Sequence, residues 1–177
     1  MKFLVFVFSL LIFTSHASDL NGTYSIEKSK LTYHINFMMK HVVGTSEQAK
    51  GKVVCEKKEC EFLIAASIKS FTSPDSNRDS NMLDTMKALE FPMVVVRSST
   101  DSKFDKVKKM DLKVKMSGKE VTYKGVEFNI EESKTGISGK GKVTFKMSDF
   151  GLERPSLMMV EIDDEIPVDI DVTWKKI

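Results

Sequence analysis

Ile166-Pro167-Val168-Asp169-Ile170-Asp171-Val172-Thr173-Trp174 places an apolar residue at every second position, with a polar residue or Pro between. A strand with this period of two has one greasy face and one wet face. The same alternation recurs at Leu31, Tyr33, Ile35, Phe37 and Met39, at Met110, Leu112, Val114 and Met116, and at Val126, Phe128 and Ile130. A chain of such strands has to close its apolar faces on one another, and an antiparallel barrel of about eight strands does so without leaving edges. Its interior is then either a packed core or a ligand cavity, and that choice decides the function.

The segment before the strands sets the compartment. Lys2 supplies a positive start, residues 3–13 are apolar except for Ser9, and Ser15 and Ala17 are small residues at the minus-three and minus-one positions of a cut after Ala17. This pattern predicts a secretory signal peptide over residues 1–17. The expected product is one exported barrel domain over residues 18–177, secreted and, in a bacterium, periplasmic. No later stretch is apolar for long enough to span a bilayer, so stable membrane insertion is not expected.

About 160 residues remain after cleavage, enough for one domain with a sizeable core. Loss of Lys2 takes Lys plus Arg from 27 to 26 against 25 acidic residues. A net charge near zero argues against nucleic acid as the main partner. Monomer and homodimer both remain open.

Cys55 and Cys60 flank Glu-Lys-Lys-Glu between strand-like runs at 51–54 and 61–68. They are expected to face each other across a hairpin and to pair in an oxidising compartment. Free thiols and a redox or metal pair are the alternatives, although the spacing is not that of a thioredoxin-like motif.

One segment breaks the strand pattern. After the turn-rich Ser73-Pro74-Asp75-Ser76-Asn77, the residues Met82, Leu83, Met86 and Leu89 follow helical spacing. Asp75, Ser76 or Asn77 can cap the start, Asp79 suits the first turn, and Phe91-Pro92 ends the pattern. This predicts one principal helix near residues 78–90, lying over one end of the barrel either as a lid or as a plug.

Catalytic chemistry has little support. His34 falls on the polar parity of its strand and His41 lies beside Lys40, with no matching cluster of carboxylates or thiols. No serine sits in a nucleophile-elbow context, and the glycines form no phosphate-binding loop. No catalytic residue, metal site or cofactor is therefore expected. The basic run Lys103, Lys106, Lys108, Lys109, Lys113 and Lys115 could meet phosphates or anionic lipid heads, but its alternation with Leu112 and Val114 reads first as a solvated outer face. Glu161, Asp163, Asp164 and Glu165 lack the spacing of an EF-hand and read as a solvated turn. Asn21-Gly22-Thr23 is a glycosylation sequon, relevant only in a eukaryotic secretory pathway.

Three motifs, in order, carry a resemblance. The first is Leu31-Thr32-Tyr33-His34-Ile35 with Lys40-His41, Val43-Gly44-Thr45-Ser46 and Lys50-Gly51. The second is Ser76-Asn77-Arg78-Asp79-Ser80-Asn81-Met82-Leu83 running on to Phe91-Pro92, and the third is Ser148-Asp149-Phe150-Gly151-Leu152-Glu153-Arg154-Pro155-Ser156. Together they resemble the YceI-like family over nearly all of the chain beyond residue 17. The resemblance implies an extended, lipocalin-like antiparallel barrel, exported to the periplasm, that holds isoprenoid or other amphiphilic chains in its lumen. Asn81 stands where many members carry His, so a role tied to that imidazole does not carry over.

The resemblance favours the cavity over the packed core. The lipid-like ligand would then lie against the residues on inward parity: Tyr33, Ile35, Phe37, Phe62, Ile64, Leu112, Val114, Phe128, Phe145, Val168 and Ile170, with Met82 and Met86 closing one end. The ten methionines after Met1 suit an adaptable lining. The competing reading is a stress-related structural or protein-interaction barrel whose lumen is filled by side chains, and the third is an enzyme acting on a bound lipid.

Overall fold

The computed structural model describes residues 20–37, 40–104, 106–133, 135–157 and 159–177. The expected signal peptide and Met39 lie outside the described residues, as does the side chain of Phe37. The strands are β1 (Gly22–Phe37), β2 (Lys40–Ser46), β3 (Lys50–Glu56), β4 (Glu59–Ser67), β5 (Met93–Asp101), β6 (Val107–Met116), β7 (Lys119–Glu132), β8 (Gly136–Lys146), β9 (Ser156–Leu157), β10 (Val160–Glu161) and β11 (Glu165–Lys176). One α-helix, α1 (Ser76–Thr85), joins β4 to β5.

The main sheet runs β11-β8-β7-β6-β5-β4-β3-β1, and β11 pairs back onto β1, so eight antiparallel strands close a barrel. β2 and β3 follow one another along the same edge of β1: β2 pairs with residues 31–37, β3 with residues 22–25. Between them the chain turns inward at Ala49, whose N–H donates to the buried Ser29 Oγ at 3.1 Å.

Two bulges set which residues face in. A register shift between Ile26 and Lys28 moves the inward parity of β1 from Tyr24 and Ile26 to Ser29, Leu31, Tyr33 and Ile35. In β7, Lys124 and Gly125 together oppose the single residue Asp111, and the inward set passes from Val121 and Tyr123 to Val126, Phe128 and Ile130. Gly125 takes φ +63° there and donates its N–H to Asp111 Oδ1 at 2.8 Å. A bulge of this kind needs a left-handed residue, which glycine supplies without a Cβ penalty.

At one end of the barrel, β3 turns into β4 through Lys57 and Lys58, both with positive φ, and Cys55 pairs with Cys60 directly across the ladder. The disulfide is formed, with Cα atoms 4.0 Å apart. This end is packed: Trp174 meets Phe62 edge to face at 5.6 Å, and Phe62 meets Phe104 at 6.1 Å.

The opposite end carries α1. Asp75 caps it by accepting from the N–H groups of Asn77 and Arg78, as the sequence suggests. The helix starts earlier and stops sooner than the predicted 78–90. Lys87 enters the left-handed region at φ +52°, the Ala88 N–H reaches the Leu83 carbonyl at 2.9 Å, and the Lys87 N–H reaches that of Asp84 at 3.0 Å. These bonds close a Schellman cap. Helical spacing persists in the sequence through Leu89, yet that side chain lies beyond the cap and is 97% exposed. No residue of α1 itself is buried, so the helix lies over the barrel as a lid and does not plug it.

Candidate functional site

The lumen encloses a cavity of about 730 Å³. It runs from Trp174 and Gly139 near the disulfide end to Asn77, Arg78 and Asn81 of the lid. The strands contribute an apolar lining because each alternation turns its greasy parity inward.

Of the residues expected to line the lumen, Tyr33, Ile35, Phe62, Ile64, Leu112, Phe128, Phe145, Val168 and Ile170 face this cavity, as do Met82 of α1 and Met86, its C-cap. Val114 does not. It is fully buried in the row Val96–Val114–Val121, and Leu112 and Met116 on either side of it line the cavity instead.

Two inward glycines shape the wall, and the sequence disguises them as strand punctuation. A Cβ on Gly141 would stand 2.6 Å from the Phe128 ring, and one on Gly139 would stand 3.4 Å from the indole of Trp174. Gly44 plays the same part at the helix end, where it pairs with Tyr33 and lies under the phenol ring. The visible signal is that Gly139, Gly141, Val143 and Phe145 keep the period of two.

The helix end of the cavity is polar. Lys40, Asp75, Asn77, Arg78, Asn81 and Lys146 line it. The acids here are already engaged: Asp75 caps α1, and both oxygens of Asp79 accept from the Ser73 N–H at 3.0 Å. Arg78 is held only loosely, 3.5 Å from Asp75. Tyr33 is 8% exposed, and among the described residues its hydroxyl has no hydrogen-bond partner. Burial raises its pKa above the ordinary value, with Asp79 pushing the same way and Arg78 opposing. The segment leading into α1 is pinned to the barrel by paired backbone hydrogen bonds between Thr45 and Thr72 at 2.9 and 3.0 Å.

β7 and β8 pair only over residues 128–132 and 137–141, and they part toward the helix end. Phe150, from the 3₁₀ turn Ser148–Phe150, is 1% exposed and stacks on Tyr123 at 6.4 Å. The Tyr123 hydroxyl donates to Asp149 at 2.9 Å and accepts from the Lys146 N–H at 3.5 Å. Burial, reinforced by the Asp149 carboxylate, pushes this phenol far above its ordinary pKa. The third motif of the sequence therefore supplies the patch that seals this seam.

His34 lies outside the lumen, as its parity requires, but it is not simply solvated. Its Nε2 is 2.7 Å from Asp169, its Nδ1 is 3.2 Å from His41 Nε2, and His41 Nδ1 is 2.8 Å from Asn36. This chain staples β1 to β2 and β11 on the outer surface. Among the described residues no group of three or more His, Cys, Asp or Glu side chains is placed to hold a metal ion.

A closed antiparallel barrel, an apolar lumen and a helical lid over a polar mouth define a class of small binding barrel. The chain belongs to the YceI-like domain family, whose model matches residues 24–174. No curated protein matches it. Among solved structures, it resembles a polyisoprenoid binding domain from Saccharophagus degradans with a TM-score of 0.75 at 15% identity, over 87% of this chain and 98% of that one. BcnA from Burkholderia cenocepacia gives 0.70 at 15%, over 82% and 95%. The Campylobacter jejuni YCEI protein gives 0.66 at 17%, over 80% and 89%. At these identities the likeness shows the fold.

Proposed function

We propose that the protein binds a long isoprenoid or other lipid-like amphiphile in its lumen and, as an exported protein, carries, stores or sequesters it. The observation that carries this reading is an apolar cavity of about 730 Å³ with one polar end. That volume lies within the range of roughly 300–1,000 Å³ usual for small-molecule sites. The apolar chain would lie toward Trp174, and its polar end would meet Tyr33 and Lys40 on the barrel and Arg78 and Asn81 on the lid. Each buried CH₂ contributes about 0.8 kcal/mol, so a long chain binds tightly without polar contacts along its length. The polyisoprenoid binding named for the Saccharophagus degradans domain supports an isoprenoid over a compact ligand.

The reading is of a binding protein: His34 and His41, the histidines beyond residue 17, hydrogen-bond to one another on the outer surface, away from the lumen. The cavity also weighs against the competing interaction barrel, which requires a lumen filled by side chains.

The test is mass spectrometry of an organic extract from purified native protein, followed by lipid titration of an Ile64→Trp variant. Ile64 is partly buried on the lumen wall, so an indole there takes cavity space without entering packed core. The extract should contain an amphiphile, and the folded variant should bind it at least about tenfold more weakly, a loss of about 1.4 kcal/mol. A lipid-free extract together with unchanged titration of the folded variant would sink the reading.

A further inference from the structure

The outer surface of the barrel differs from wall to wall. All three lysines of β8 face an acid: Lys140 with Asp171 at 3.0 Å, Lys142 with Asp169 at 3.8 Å and Lys146 with Glu165 at 3.5 Å. Lys175 of β11 lies 3.9 Å from Glu27. Across the barrel, the registers of β3, β4, β5 and β6 align Lys52, Leu63, Arg97 and Lys113 in one row, and Lys50, Ala65, Val95 and Lys115 in the next. All five cations are exposed, and among the described residues none forms an ion pair.

The carboxylates that border these rows are few. Glu120 lies opposite Lys115, Glu61 lies in the neighbouring row, and Asp111 is engaged with the Gly125 N–H. Arg97 stands directly opposite Lys113, and like charges in that position destabilise a ladder. Among the described residues neither cation has an ion-pair partner to offset this cost. Between the two flanks of cations runs an apolar strip on outward parity, with Leu63 39% and Met93 40% exposed beside Val95 and Ala65.

We propose that this face of β3–β6 docks on an anionic lipid bilayer. The cations would sit among the headgroups, with their alkyl stems lying along the strip, and Leu63 and Met93 would enter the interfacial layer. The row from Lys52 to Lys113 crosses three interstrand spacings, about 14 Å, a breadth that meets several headgroups at once. Aromatic side chains, on which the bases of a single strand would stack, are missing from both rows, and an apolar centre does not suit a phosphodiester backbone. The docking is independent of lumen occupancy. It gives the unpaired cations of the basic run, which parity alone reads as a solvated face, a partner of opposite charge.

The experiment is co-sedimentation of the exported chain with vesicles of phosphatidylcholine alone and of phosphatidylcholine mixed with phosphatidylglycerol. The protein should pellet with the mixed vesicles at low salt and remain in solution with the neutral ones or at high salt. Replacing Arg97, Lys113 and Lys115 with Gln should lower the partition coefficient roughly fivefold per cation, about a hundredfold together. Lys140→Gln with Lys142→Gln, on the ion-paired wall, should change it less than about twofold, because those charges are already neutralised. Leu63→Ser tests the apolar strip and should weaken binding several-fold. Equal partition onto both vesicle types, a folded triple variant that pellets like the parent, or an equal loss from the ion-paired wall would overturn the proposal. So would capture of an acidic protein without any vesicle binding. Lipid extracted into the lumen stays with protein in the supernatant, so failure of the carrier reading registers separately.

Discussion

At the disulfide end of the barrel, Phe62 packs edge to face against both Trp174 and Phe104, and the disulfide staples the hairpin beside them. At the helix end, α1 lies across the cavity without a single buried residue, and it brings Asn77, Arg78 and Asn81 to the lining beside Lys40 and Lys146. One end resembles the core of a folded domain. The other resembles a door, held at its N-terminal side by the Asp75 cap and the Thr45–Thr72 bridge, and at its C-terminal side by the Ser117 Oγ–Met86 carbonyl bond at 2.8 Å. On the proposed binding role, stability and ligand access fall to opposite ends, and a change that serves one need not harm the other.

The sharpest way to break this comparison is to truncate one side chain at each end. Phe62→Ala removes a ring that is 7% exposed and should cost roughly 3–5 kcal/mol of unfolding free energy. Met82→Ala, on the half-buried face of α1, should cost less than about 1 kcal/mol while weakening ligand binding. Urea denaturation of the two variants measures the difference. Equal losses would show that the lid belongs to the same cooperative core as the aromatic end.

Much of the aromatic end is legible in the sequence, because strand parity alone turns Phe62, Phe128 and Ile170 inward. The bulges are harder to see. Nothing in Glu27 marks it as the residue that flips the parity of β1, and Gly125 becomes meaningful only beside Asp111, fourteen positions earlier. The lid was half legible: its cap residues follow from local chemistry, but its true end depends on Lys87 accepting a left-handed backbone that sequence assigns to Gly or Asn. The polar mouth was missed for another reason. Arg78 and Asn81 come from α1, Lys40 from β2 and Lys146 from β8, and only the closed sheet with its lid brings them together with Tyr33.

A smaller effect sharpens the contrast at the stapled end. Cys55→Ser with Cys60→Ser should cost about 2 kcal/mol in the chain-entropy account of so short a loop, and the barrel should still form. The two residues already face one another in the ladder, and Lys57 and Lys58 adopt the positive φ angles that a two-residue hairpin turn requires. Thermal unfolding under oxidising and reducing conditions reads the loss. A double variant that cannot fold would mean that the aromatic cluster does not hold this end by itself.

The smallest expected change tests the door. Lys87 holds φ +52° at the position after the helix where glycine is the usual residue, and a side chain there carries a conformational cost of about 1 kcal/mol. Lys87→Gly should relieve most of that cost, less the entropy that glycine adds to the unfolded chain, for a net gain of no more than about 1 kcal/mol. In a domain of this size that corresponds to a rise in Tm of roughly 2–4 °C at most. The hydrogen bonds from Lys87 and Ala88 back to Asp84 and Leu83 use backbone atoms only, so the cap itself survives the substitution. The informative quantity is the rate of ligand release. If α1 gates the mouth, a better-formed cap should slow release by a few-fold while leaving the aromatic end untouched. If release is unchanged although Tm rises, the helix is a fixed roof, and the ligand leaves past Lys40 or Lys146 instead.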